Sequence, residues 1–508
     1  MTARRFSGVL LHPTSLPGPN GIGEIGEQAH AFIEFLASAK QTLWQILPLG
    51  PTGYGDSPYA SFSAFAGNPL LIDLSDLVAN GDLADSDLSD RPAFPDRRVD
   101  FGMIYAWKLP LLERAAQRFI ATAAPERRSA FAQFCSENAA WLDDYALFMT
   151  AKEQFGAKGA VGGLWNNSWD EDIALRRPKA LERWKADHSA RIEIRKVQQY
   201  FFASQWARVL THAHERGIRI IGDIPIFPAM DSVDVWSRRS FFQLDARGTP
   251  RAVAGVPPDY FSPTGQRWGN PLYDWRALEE DGFRWWIERI STTLKQVDIV
   301  RIDHFRGFAA FWEIPVSAPT AEKGRWVKAP GMKLFQAVHA ALGAVPVIAE
   351  DLGTITPEVV KLRERFGFPG MRVLQFAFAL GNDGLDGANP YLPHNHSEDC
   401  AVYTGTHDND TTHGWYAALS PKLQDAVRRY AARDGHDIAW DLIRMALSSV
   451  ARYAIIPMQD LLSLPSEARM NIPATVGGNW GWRLQHRDIE DQGVVGRLRE
   501  MTELYGRA

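Results

Sequence analysis

The strongest constraint on this chain is a recurrence: short apolar runs closing on or beside Gly, Pro or Asp, each followed by a segment of helical periodicity. Eight such runs fall near residues 7–12, 42–47, 218–224, 297–303, 345–350, 371–377, 401–407 and 453–458. The alternation reads as repeated βα units. Eight parallel strands with intervening helices close into a barrel, and polar residues at the strand ends then fall on the C-terminal rim where such barrels carry their chemistry. The predicted fold class is therefore α/β, a (β/α)8 TIM barrel spanning residues 1–508 as one catalytic unit.

The spacing of the runs is uneven. Runs two and three are about 170 residues apart, where ~30–40 would complete a βαβ unit. An insertion is therefore expected at residues 75–210, between strands two and three, and the Ala-, Arg- and Leu-rich stretches 111–124 and 195–216 make it mainly helical. A second insertion, residues 231–290 between strands three and four, is rich in Pro, Gly and aromatics and reads as loop-rich. Only 25 residues follow Arg483, too few for the ~100 of a C-terminal β-sandwich.

Composition removes several function classes. Lys and Arg total 55 against 60 Asp and Glu, a net charge of -5, so no basic field exists to hold nucleic acid. The two cysteines, Cys135 and Cys400, support neither a disulfide framework nor a zinc ribbon. No apolar stretch has the length of a secretory signal or of the ~20 residues of a membrane span. No membrane partner and a cytoplasmic location are expected. The sequence carries no signal for an oligomeric state.

Chemistry concentrates at three strand ends. In Val300-Arg301-Ile302-Asp303-His304-Phe305-Arg306-Gly307, strand periodicity puts Arg301 and Asp303 on one face and Val300 and Ile302 on the other. An Arg beside a carboxylate keeps it anionic, as a nucleophile requires, although the same pair could simply cap the barrel. Glu350 ends the next run, in Val347-Ile348-Ala349-Glu350-Asp351-Leu352-Gly353. Two neighbouring rim carboxylates suit glycosidic bond cleavage, one attacking the sugar carbon while the other, with a raised pKa, protonates the departing oxygen. A barrel-lining acid or a metal ligand is the alternative for Glu350. Tyr403-Thr404-Gly405-Thr406-His407-Asp408-Asn409-Asp410 brings a third acid, with an imidazole, to the same rim. Asp408 could accept hydrogen bonds from sugar hydroxyls, whereas Asp410 reads as a helix N-cap.

Of the 18 tryptophans, Trp165, Trp169, Trp268 and Trp415 stand in polar, Gly-rich stretches where flat apolar faces could meet sugar C–H groups; ordinary packing is the competing reading. Gly21-Ile22-Gly23-Glu24-Ile25-Gly26 matches the dinucleotide fingerprint in letters only. Its Glu24 would repel a pyrophosphate, and no acid follows about 20 residues on. His394-Asn395-His396 resembles a metal pair without further ligands, and Gly53-Tyr54-Gly55-Asp56-Ser57-Pro58 lacks the lysine of a P-loop. No cofactor and no metal are expected.

With these residues in view, the chain resembles the amylomaltases, the bacterial disproportionating 4-alpha-glucanotransferases of glycoside hydrolase family 77, over about residues 8–483. The resemblance is carried by GVLLHPTSLPGPNGIGEIG from Gly8, GPTGYGDSPYASFSAFAGNP from Gly50, GVPPDYFSPTGQRWGNPLYDW from Gly255, VRIDHFRGF from Val300, IAEDLG from Ile348 and TGTHDNDT from Thr404. It implies an α-amylase-like barrel without the C-terminal β domain, and transfer of α-1,4-glucan segments between maltooligosaccharides by a retaining double displacement. By resemblance, Asp303 is the nucleophile, Glu350 the acid/base and Asp408 the transition-state stabiliser, supported by Arg301 and His407. Tyr59, Asp223, Asp259, Gln266, Trp268 and His304 match positions expected to contact sugar, with Asp259 and Gln266 on a flexible loop over the cleft. A hydrolytic amylase using the same three acids is the rival reading. A metal-dependent barrel hydrolase and a non-catalytic glucan-binding protein stand further off.

Overall fold

In the computed structural model, which describes residues 4–156, 163–258, 262–381 and 384–508, the eight apolar runs form eight strands. They are β1 Phe6–Leu10, β2 Leu43–Gln45, β3 Arg219–Ile224, β4 Ile299–Ile302, β5 Val347–Ala349, β6 Gly370–Val373, β7 Cys400–Tyr403 and β8 Tyr453–Pro457. The ladder runs β6-β7-β8-β1-β2-β3-β4-β5 and every pairing in it is parallel. Between the two ends of that ladder the Ala349 N–H donates to Pro369 O at 2.9 Å, closing the (β/α)8 barrel.

Parallel strands covered on both faces must be apolar almost throughout. Val9, Trp44, Ile221, Val300, Ile348, Val402 and Ile455 are accordingly buried. Close strand approach also excludes a side chain at Gly8, where a Cβ would lie 2.2 Å from Leu43 O. Two strands end earlier than their apolar runs: the run at 371–377 turns after Val373 into a 3-10 turn, Leu374–Phe376, and the run at 401–407 leaves the sheet after Tyr403. Leu374 and Ala377 stay buried in the turn, so hydrophobicity continues where strand geometry stops.

Between β2 and β3 the chain is helical, with long helices at Phe101–Thr122, Pro125–Glu137, Ala139–Gly156 and Ser189–Glu215. The first is started by Asp100, whose side chain accepts from the Met103 N–H at 3.0 Å, a standard N-cap. It also brings Lys108, fully buried, onto Glu24 of the Gly-rich segment. That pairing explains the acid inside the nucleotide-like letters: Glu24 takes up a buried lysine.

The Pro- and Gly-rich segment 231–290 carries more regular structure than its composition suggested. Its strands Ala252–Val256 and Gln266–Pro271 join Ala310–Pro315 and Arg325–Lys328 in a four-stranded antiparallel sheet beside the barrel mouth. Two of the partner strands lie beyond β4, so local sequence could not register the pairing. Among the described residues no helix is long and apolar enough to cross a membrane.

Candidate active site

The register of β3 and β4 places Asp223 directly opposite Arg301. From there the guanidinium forks: Nη1 reaches Asp223 Oδ2 at 2.5 Å, and Nη2 reaches Asp303 Oδ1 at 2.9 Å. Arg301 and Asp303 thus share a face, as strand periodicity requires. The side chain of Asp223 has no exposed surface, and its Oδ2 also accepts from the Tyr59 hydroxyl at 2.7 Å. Burial pushes the Tyr59 phenol well above its ordinary range, so it remains a donor. Burial opposes the charge on Arg301, but Asp223 and Asp303 outweigh it and keep the guanidinium protonated.

Asp303 follows β4 and keeps 31% of its side chain exposed. His304, the next residue, adopts a left-handed backbone with φ 50°, a strained choice for a side chain other than Gly. That turn aims the His304 N–H at Glu350 Oε2, 2.8 Å away, while Glu350 Oε1 accepts from Leu352 N at 2.9 Å. Glu350 is thereby oriented by two backbone donors. Burial first, and the charge of Asp303 second, push its carboxyl up to about 8. Burial raises the Asp303 carboxyl as well, outweighing the opposing charge of Arg301. Glu350 thus keeps a proton to transfer, and Arg301 is the charge that favours the ionised form of Asp303.

Asp408 stands beyond β7, and Asn471 Nδ2 donates to its Oδ1 at 2.6 Å while His407 Nε2 lies 3.4 Å from its Oδ2. Burial would raise this carboxyl, yet His407, Asn471 and Arg301 outweigh it and hold it at about 2. The His407 ring stacks on Tyr59 at 5.0 Å between centroids, and Trp480 packs against both rings at 5.9 Å. Tyr59 therefore links the third acid to the Arg301 fork.

The sugar-contact candidates divide. Trp268, 38% exposed, meets the His304 ring edge-on at 4.8 Å, and its Nε1 donates to Gln266 Oε1 at 3.1 Å. Gln266 opens a strand of the antiparallel sheet, and Asp259 lies outside the described residues. Burial and the nearby charge of Arg306 bring His304 down to about 3, so its imidazole is neutral. Trp165 and Trp169 are buried away from the site, the latter against Phe148, Phe155 and Trp236, and Trp415 packs on Phe378. Asp410 accepts from Thr411 N at 2.8 Å, but the cap of the following helix is Thr411 itself. His394 and His396 bond to Tyr430 and to backbone oxygens, and among the described residues no cluster of His, Cys, Asp and Glu could hold a metal ion.

Sequence reading missed Asn471 and Trp480. The one local signal, and for Trp480 alone, is the Gly- and aromatic-rich stretch Gly477-Gly478-Asn479-Trp480-Gly481-Trp482. Nothing in its spacing points to His407, more than 60 residues earlier.

The arrangement can be set beside known proteins. A family model described as 4-alpha-glucanotransferase matches residues 11–488. The 4-alpha-glucanotransferase of Thermus thermophilus is 52% identical over 511 residues, covering 99% of both chains. The chloroplastic/amyloplastic 4-alpha-glucanotransferase DPE1 of Arabidopsis thaliana is 44% identical, over 99% of this chain and 86% of its own. Among solved structures, the amylomaltase from Streptococcus agalactiae in complex with acarbose superposes with a TM-score of 0.94 at 40% identity, over 99% of this chain and all of that one. By its family match over residues 11–488 and these relatives, the chain belongs to the 4-alpha-glucanotransferases of glycoside hydrolase family 77, enzymes that transfer glucan segments.

Proposed function

We propose that this enzyme moves α-1,4-glucan segments between maltooligosaccharide or starch chains by a retaining double displacement through Asp303. One observation carries the reading: Arg301 Nη2 lies 2.9 Å from Asp303 Oδ1, beside a Glu350 that keeps its proton up to about 8. Asp303 attacks the anomeric carbon as the glycosidic C–O bond breaks, and Glu350 gives its proton to the leaving 4-oxygen. The product is a glycosyl ester on Asp303. Glu350, now a carboxylate, takes the proton from the 4-hydroxyl of an acceptor glucan, whose oxygen displaces Asp303 and restores the α-linkage.

Asp408, ionised over the whole working range, accepts hydrogen bonds from sugar hydroxyls as the ring flattens in the transition state. His407 and Asn471 orient it. Tyr59, Gln266, Trp268 and His304 are the sugar contacts in this reading, joined by Asp259. Asp223, without exposed surface, acts through Tyr59 and Arg301. Transfer wins over hydrolysis when an acceptor sugar bound in the cleft gains effective molarity over water.

Product analysis tests the proposal. Maltotriose should become glucose and longer chains with no net gain of reducing ends, and the new linkages should keep the α-configuration. Release of reducing ends in step with substrate loss would instead establish a hydrolase.

A further inference from the structure

Trp326 lies in the edge strand Arg325–Lys328 of the antiparallel sheet and is 40% exposed. Its ring is held on two sides. The Arg306 guanidinium lies over it at 3.7 Å from the centroid, and Trp312 meets it at 5.1 Å in a T-shaped contact. Arg306 is itself fixed, its Nη1 donating to Thr354 O at 2.5 Å. An aromatic surface held this firmly loses little entropy when a ligand settles on it.

This surface is tied to the active site through one turn of chain. Arg306 stands in the turn Phe305–Phe308 directly after Asp303 and His304, and Trp268 covers the His304 ring. Trp268, His304, Arg306 and Trp326 are therefore linked by successive neighbours to the turn that follows Asp303. An open groove of about 850 Å³ lies between Met332 and the helix that follows Thr354, lined by Ile355, Pro357 and Val360 with Lys361, Glu364 and Arg365 beside them. Thr354, which receives Arg306, immediately precedes Ile355. Lys328, at the end of the Trp326 strand, is within electrostatic range of Glu358 on the helix Pro357–Arg365.

We propose that Trp326 and this groove form a remote subsite for the α-glucan chain, binding glucose units well away from the bond that is broken. The inference rests on the glucan-transfer reading above. A glucan has apolar C–H faces edged by hydroxyls; it matches an exposed indole face and an apolar trough with charged groups at its margin. The charged groups at its margin, Lys361 and Arg365 with Glu364, supply the donors and acceptors that sugar hydroxyls require. Short substrates reach only the cleft, whereas long ones also engage Trp326.

Trp326→Ala, Trp326→Tyr and Val360→Arg in the full chain test this. The readouts are retardation in amylopectin-containing native gels and kcat/KM for amylose and for maltotriose. Loss of the indole face should weaken retardation and lower kcat/KM for amylose by about tenfold, with maltotriose kept within about twofold. Trp326→Tyr should retain most of the parent's behaviour. Val360→Arg, which leaves Arg306 untouched, should reproduce the amylose defect. Unchanged amylose binding and turnover in Trp326→Ala and Val360→Arg would overturn the subsite. So would equal losses on maltotriose and amylose in Trp326→Ala, because Trp326 would then only prop Arg306. If the parent itself fails to disproportionate maltotriose, the transfer reading fails, and gel retardation still reports on the subsite.

Discussion

Arg301→Lys isolates the charge relation at the centre of the site. The native guanidinium serves two carboxylates at once, Asp223 at 2.5 Å and Asp303 at 2.9 Å. One ammonium cannot span both. Because the register sets Asp223 opposite residue 301, the lysine stays with Asp223 and Asp303 loses its partner. A hydrogen bond to a charged group contributes about 1.5–3 kcal/mol, and each pKa unit corresponds to about 1.36 kcal/mol, so the Asp303 pKa should rise by about 1–2 units. The nucleophile works deprotonated. The acid limb of the kcat/KM profile should therefore move up by about 1–2 units, and activity below it should fall about 10–100-fold relative to the parent. Glu350 works protonated, so activity is lost as pH rises through about 8, and this alkaline limb should move much less. Asp408, held at about 2, stays ionised throughout and contributes to neither limb. Glucose release from maltotriose, followed across roughly pH 4 to 10, reads both limbs. A uniform fall in rate with both limbs fixed would refute the reasoning, since Arg301 would then act on geometry and not on the Asp303 charge.

Replacing Glu350 by Gln keeps its shape and removes the transferable proton. Turnover should fall by ~10²–10⁴-fold with an unchanged melting curve, and near-normal rates would exclude Glu350 as the acid. Asn471→Ala removes the 2.6 Å hydrogen bond to Asp408, so kcat should drop about 10–100-fold with little change in KM. A rise in KM alone would make Asn471 a binding residue only. Glu24→Gln leaves Lys108 buried without its carboxylate and should cost about 3–5 kcal/mol in denaturant unfolding. The paired Glu24→Leu, Lys108→Met variant should recover most of that stability, and an unmoved midpoint in the single variant would refute the buried pair.

Much of the site could be read along the chain because each acid closes an apolar run. Asp303, Glu350 and Asp408 follow β4, β5 and β7, and parallel strands leave their ends on one rim. The antiparallel sheet was illegible because its four short strands come from both sides of β4 and acquire register only on pairing. The loop tryptophans separated for the same kind of reason: Trp169 meets Phe155 and Trp236 only after the helices fold together, while Trp268 is left beside His304.

The sequence alone determined the barrel, the face shared by Arg301 and Asp303, and the presence of three acids at strand ends, since strand period and burial act locally. Tertiary structure alone decided what holds each acid. That depends on a guanidinium reaching across from β4 to Asp223, on a left-handed turn at His304 aimed at Glu350, and on Asn471 arriving at Asp408 from a distant loop. Electrostatic energy depends on distances through space, and the spacing of residues along the chain does not encode them.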